Sequence, residues 1–157
     1  MRILGTQYTL SRKALEIYLS GCKGDDKLGH CPNCHNPESW SFNKGEIYTE
    51  KYFEEKIKQK IKDFPNIIDN IEIYGGEPND QNHIELESFL MDLNTLHKKI
   101  WLFTRYDLNN CPKFEYGLCD YIKCGRYIEE LNCEDNLQHG IRLATSNQHI
   151  YKRGVDY

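Results

Sequence analysis

Residues 70–104, NIEIYGGEPNDQNHIELESFLMDLNTLHKKIWLFT, decide the fold class. NIEIYGG at 70–76 is a short apolar run broken by two glycines, the length and composition of a buried strand. From about 82 to 97, Leu86, Phe89, Leu90, Leu93 and Leu96 recur at helical spacing, and IWLFT at 100–104 is again strand-like. Strands alternating with helices in this way specify an α/β domain with a mainly parallel sheet.

The flanks repeat the alternation. LEIYLS at 15–20 is a strand that stops at Gly21. TEKYFEEKIKQKIKDF at 49–64 sets Phe53, Ile57, Ile61 and Phe64 on one helical face, with Thr49 as its cap. The charged face from Lys51 to Lys62 is expected to meet water. DYIKC at 120–124 and, more weakly, ATSNQHIY at 144–151 are further strands. The loop at 107–119 has Pro and Gly punctuation but is too short to link domains. The expected fold is α/β, a small incomplete (βα) barrel with a mainly parallel sheet, built as a single domain over 1–157. Ligands in such sheets bind beyond the carboxyl ends of the strands, where both SGC at 20–22 and GGEP at 75–78 fall.

Composition narrows the chemistry. The chain has 157 residues, a net charge of −4 and 39% hydrophobic residues, which suits one cored domain and excludes a nucleic-acid polycation or an acidic disordered tail. No apolar run approaches the roughly 18 to 20 residues of a membrane span, and the N-terminus lacks a secretory pattern, so a cytoplasmic location is expected. Seven cysteines, an odd number, argue against a closed disulfide framework and for reduced thiols, some of them binding metal.

SGCKGDDKLGHCPNCHN at 20–36 holds three of those cysteines. Eight residues separate Cys22 from Cys31, and two separate Cys31 from Cys34. CPNC alone is also the pattern of a thioredoxin-like dithiol or half a zinc knuckle, which His30 and His35 could complete. Three thiolates can instead hold a [4Fe–4S] cluster and leave one iron with an open position for a small molecule. The spacings of Cys111, Cys119, Cys124 and Cys133 match no compact second motif, and these are read as buried or idle thiols. Trp40 and Trp101 are read as core.

The cysteine loop at 21–36, CPNCHNPESW at 31–40, YGGEPNDQN at 74–82, IWLFTRY at 100–106, CGRYIEEL at 124–131 and SNQHIY at 146–151 together resemble the radical S-adenosylmethionine superfamily. Within it they are most similar to the activating proteins of anaerobic ribonucleoside-triphosphate reductases. The resemblance implies that Cys22, Cys31 and Cys34 ligate a [4Fe–4S] cluster. It implies that Asn33 and His35 contact the adenosyl moiety of S-adenosyl-L-methionine, and that Gly75, Gly76 and Glu77 receive its methionine amino group. Carboxylate and carbonyl oxygens are the acceptors an ammonium needs. Pro78 would fix the exit of the turn, and Thr104 would be a further cofactor contact. No side chain is expected to act as a catalytic acid or base. The implied activity is reductive cleavage of the cofactor and radical transfer to a glycine of a large glycyl-radical enzyme subunit, the anaerobic ribonucleotide reductase. The electron would come from a flavodoxin-like or ferredoxin-like donor, with no nucleic acid or membrane involved. The alternatives are a superfamily enzyme acting on another peptide or a small molecule, and a non-enzymatic zinc or dithiol protein.

This chain departs from the family pattern in three places. The family has three residues between the first two cysteines where KGDDKLGH gives eight. Closing the longer loop costs only about 0.7 kcal/mol more, small beside metal ligation. Arg105 stands where glycine is usual, and ATSNQ replaces an Arg-Gly-Ser run.

Overall fold

A computed structural model describes all residues 1–157. Strand β1 (Arg2–Thr9) pairs antiparallel with β2 (Ala14–Ser20) and with the two-residue β3 (Glu46–Ile47). A continuous helix follows, α1 (Glu50–Tyr52) and α2 (Gln59–Asp63) joined by a π-helical turn at Phe53–Lys58. Then come β4 (Asn70–Gly75), α3 (His83–Asn94), β5 (Lys99–Phe103), α4 (Lys113–Leu118) and β6 (Tyr121–Cys124). A hairpin of β7 (Leu137–Gln138) and β8 (Ile141–Arg142) precedes β9 (His149–Lys152).

Seven strands form one sheet in the order β3-β1-β2-β4-β5-β6-β9. The central four, β2, β4, β5 and β6, are parallel, and antiparallel strands flank them on both sides. The two edge strands do not pair with each other, so the sheet is open. The expected α/β class and the parallel centre of the sheet are present, and the sheet is not closed into a barrel. Closing it would need further strands to continue the curvature from β6; β9 instead runs antiparallel and ends the sheet.

Alternation along the strands assigns the two faces. Leu15, Ile17 and Leu19, with Ile71, Ile73, Ile100, Leu102 and Ile122, join the main core with the helices. The helices contribute Phe53, Ile57 and Ile61, then Leu86, Phe89, Leu90 and Leu93, the stripes expected from spacing. Phe64 is the exception at 41% exposed, because the helix has ended at Asp63. Thr49 Oγ1 accepts from the Tyr52 amide, and Asn82 Oδ1 accepts from the amides of Ile84 and Glu85, so side chains cap both helices.

The opposite face carries Glu16, Tyr18, Glu72, Tyr74, Trp101, Phe103, Tyr121 and Lys123 from the same strands. No helix packs on it. Trp101 is core, in a small cluster with Leu143 and Ile150 under the C-terminal hairpin. Towards β2 the face is polar and aromatic: Tyr74 stacks on Tyr18 at 5.7 Å and on Phe103 at 4.1 Å between ring centroids. No helix is long and apolar enough to cross a membrane.

Candidate cluster and cofactor site

The carboxyl ends of β2 and β4 are joined without intervening side chains. The Gly76 amide donates to Leu19 O at 2.8 Å and the Glu77 amide to Gly21 O at 2.7 Å. A Cβ at residue 76 would lie 2.1 Å from Gly21 O, and Gly75 has φ +100° with Leu19 backbone equally close. Only glycine permits this approach and this backbone. The chain bearing Cys22 and the GGE strand end are thus fixed against each other.

The cysteine loop is anchored at its base. The amides of Gly21 and Cys22 donate to Ser39 O and Trp40 O, tying the first cysteine to the turn that follows the third. His30 Nε2 lies 2.9 Å from Cys22 O, a contact that selects the tautomer protonated there, and the ring stacks on Trp40 at 4.0 Å. His30 is therefore committed to the loop's own backbone and not aimed at Cys31 and Cys34. The eight-residue insertion folds into a closed turn. Asp25 and Gly29 pair through their backbones, Asp25 Oδ1 accepts from the Lys27 and Leu28 amides, and Arg126 donates to Gly29 O and His30 O.

Cys22, Cys31 and Cys34, all partly buried, line one cavity of about 210 Å³ with Gly75, Gly76, Glu77 and Thr104. Asn33 and His35 face an adjoining pocket, which Cys31 and Cys34 share. Pro78 is buried and opens the turn Pro78–Asp80 without lining the cavity. Trp40, expected in the core, is instead half-buried on the cavity wall. Ser39, Phe103, Arg105, Lys123, Gly125, Tyr127 and Gln148 complete the wall. The sequence marked Arg105 only as a departure from the family pattern and did not single out the other six. Lys123 alone carried a signal, as a charged residue near the end of a strand.

Glu77 is 2% exposed and both its oxygens are engaged. Oε1 accepts from Thr104 Oγ1 at 2.5 Å and from the Asn79 amide, and Oε2 from the Arg105 amide at 2.8 Å. Burial raises this carboxyl above the usual range, and those three hydrogen bonds oppose the rise. Its place in the site is to brace the ends of β4 and β5. The Gly76 carbonyl beside it accepts no hydrogen bond. Burial also pushes the Cys22 thiol up; the Gly24 amide opposes this, and Glu77 and Asp80 add to it. Lys123 donates to Gly125 O, and desolvation pulls its ammonium down to about 8.

No set of three or more His, Cys, Asp or Glu side chains converges on a point that one metal ion could occupy. A tetrahedral zinc with sulfurs at about 2.3 Å draws them to within about 3.8 Å of each other. A cubane takes each thiolate on a different iron, so its sulfurs surround a body rather than a point. Three thiols on one cavity wall supply the donor set that such a cluster takes with one iron left open. Cys111, Cys119 and Cys124 lie in the main core instead.

Residues 12–151 match the family model described as a 4Fe-4S single cluster domain. Among curated proteins, the chain is 26% identical over 121 residues to the anaerobic ribonucleoside-triphosphate reductase-activating protein of Salmonella typhimurium, covering 73% of this chain and 75% of that one. The protein of the same name from Escherichia coli K12 is 25% identical over 141 residues, covering 86% and 85%. That from Vibrio cholerae is 28% identical over 122 residues, covering 73% and 74%.

Proposed function

The chain belongs to the 4Fe-4S single cluster domain family, and from that premise we propose that it is a radical S-adenosylmethionine enzyme that activates anaerobic ribonucleoside-triphosphate reductase. Cys22, Cys31 and Cys34 hold the [4Fe–4S] cluster. When bound, the cluster would supply the electron for reductive cleavage of S-adenosyl-L-methionine into methionine and 5′-deoxyadenosine, the hydrogen atom of the latter being taken from a glycine of the reductase. The electron donor is a flavodoxin-like or ferredoxin-like protein.

The residues of this chain bind and orient. Gly75 and Gly76 allow close backbone approach, and the free Gly76 carbonyl is an acceptor for the methionine ammonium. Glu77, rather than taking that ammonium on its engaged carboxylate, holds the wall in shape through Thr104 and the Arg105 amide. Asn33, His35 and Pro78 belong to the same reading: the first two sit where the adjoining pocket meets Cys31 and Cys34, and Pro78 fixes the chain leaving the strand end. No proton transfer by a side chain is required; the contributions are orientation and exclusion of water. The sheet face without helices leads to this cavity through Phe103, so a glycine loop of a large partner can reach it.

The observation that carries this reading is the meeting of three thiols and the GGE strand end on one cavity wall. Anaerobic reconstitution with iron and sulfide tests it. Wild type is expected to take up about four irons per chain, to form 5′-deoxyadenosine with a chemical reductant, and to produce a glycyl radical on the co-incubated reductase. Cys31→Ala is expected to lose all three. Cofactor cleavage that persists in Cys31→Ala, or that never occurs in wild type, overturns the proposal.

A further inference from the structure

Strand β1 is paired along only part of its outer edge. β3 meets it at Arg2 and Ile3 and nowhere else. The chain turns off this edge at Gly45, φ +77°, just before β3, with Arg2 Nη1 donating to Gly45 O. Past the register shift between Ile3 and Gly5, residues Gly5–Thr9 keep a regular register with β2 and have no strand on their other side. Backbone groups along a strand point alternately to one neighbour and to the other. Leu19 O accepts from the Gly76 amide, on the β4 side. Tyr18, Glu16 and Ala14 therefore turn to β1, opposite Gly5, Gln7 and Thr9. Thr6 and Tyr8 lie between these, so their N–H and C=O groups face outward without a partner.

Exposed edges are ordinarily guarded by charge, by proline or by very short length. LGTQYTL at 4–10 has no charged residue and no proline. The open edge flanks a groove of about 380 Å³ lined by Leu4, Gly5, Thr6, Gln7, Tyr18 and Asn36. Tyr18 begins the aromatic row, and Asn36 follows Cys34 by two residues. A Cβ at Gly5 would meet nothing within 4 Å, so the groove is floored there by bare backbone. The Gly5 end of the edge lies opposite Tyr18, near the end of β2 from which the cysteine loop leaves.

We propose that the outer edge of β1 at Thr6 and Tyr8 binds an extended segment of the reductase as an added antiparallel strand. The inference rests on the function proposed above. The complement of unpaired strand groups at two-residue spacing is an extended backbone, with its alternate side chains entering the adjoining groove. A segment antiparallel to β1 runs from Thr9 towards Gly5 and is delivered beside Tyr18 and the cysteine loop, where a glycine of the partner has to arrive. A second copy of this chain seated there would cover the groove and bring no substrate.

The test is amide hydrogen exchange on anaerobically reconstituted wild type, alone and with the reductase, followed over residues 4–9. The Thr6 and Tyr8 amides are expected to exchange freely in the chain alone and to slow about tenfold or more in the complex. Gly5→Val fills the groove, and Thr6→Pro removes one outward donor; each is expected to weaken binding to the reductase about tenfold. Both variants should form 5′-deoxyadenosine with a chemical reductant within about twofold of wild type. Unchanged exchange in a complex that yields the glycyl radical overturns the inference, as does full reductase affinity in the variants. Slowing that grows with the concentration of the chain alone assigns the edge to a second copy and overturns it too. Equal loss of cofactor cleavage marks the edge as structural, with the same consequence. If Thr6→Pro does not fold, Gly5→Val and the wild-type exchange decide the matter. Wild type that cleaves the cofactor but neither binds the reductase nor forms a radical on it overturns the partner reading itself.

Discussion

Among individual residues, Glu115 carries the clearest consequence of burial. It is 0% exposed in α4, and neither carboxylate oxygen has a hydrogen-bond partner. Desolvation first, and then the neighbouring Cys111 thiol, push its pKa up to about 9. In the unfolded chain the value is ordinary, about 4.3. The folded state therefore binds the proton more tightly, and stability is full below the unfolded value and lost as pH rises through about 9. Urea unfolding at pH 5.5 and 8.5 should show wild type losing stability across this interval. Glu115→Gln, which cannot ionise, should show a much flatter profile and be the more stable protein at pH 8.5. Parallel profiles for the two would refute the buried neutral acid.

At the level of elements, the insertion between Cys22 and Cys31 is a turn held by another part of the sheet. Loop length alone says that eight residues cost little to close. It does not say whether they are ordered. The backbone pairing of Asp25 with Gly29 and the two hydrogen bonds from Arg126 give the order. Arg126 follows β6 at a distance of about a hundred residues in sequence. Arg126→Gln should release the turn while leaving the core untouched. Tryptic cleavage after Lys27 is expected to accelerate about tenfold, the loss of about 1.4 kcal/mol of local closure, with the thermal midpoint changed by only a few degrees. An unchanged cleavage rate would mean that the turn is held by its own Asp25 contacts.

For the molecule as a whole, the asymmetry between the two sheet faces governs access. One face is covered by the helices and forms the main core. The other presents Tyr18, Tyr74 and Phe103 as a stacked row that ends at the cavity lined by the three cysteines. Glu16 and Glu72 below the row are buried carboxylates satisfied by Thr9, Gln7 and Tyr18, and by Arg12 and Tyr74, so the polar floor is already paired. An open aromatic row beside a radical site suits a polypeptide substrate that enters edge-on. Tyr18→Ala is expected to reduce glycyl-radical formation on the reductase by about tenfold or more, the effect of losing an aromatic anchor. Formation of 5′-deoxyadenosine with a chemical reductant should persist. Equal loss of both activities would place Tyr18 in cofactor binding instead.

Local pattern alone determined the parallel α/β core, because each central strand and each long helix buries a stripe whose period is visible in the sequence. It also determined the three-cysteine loop and the GGE strand end, since spacing along the chain fixes which residues leave neighbouring strands together. Strand β1, with a register shift beside Gly5, the two-residue β3, β7 and β8, and the six-residue α4 were not legible. Too few residues repeat in them for a period to form, and contacts from distant chain define them. Only the tertiary structure decided that the sheet stays open, that His30 serves the loop backbone, and that Arg105, Lys123 and Gln148 share a wall with Cys22. Such a wall is drawn from the ends of several strands, and its membership depends on strand order, which no local pattern records.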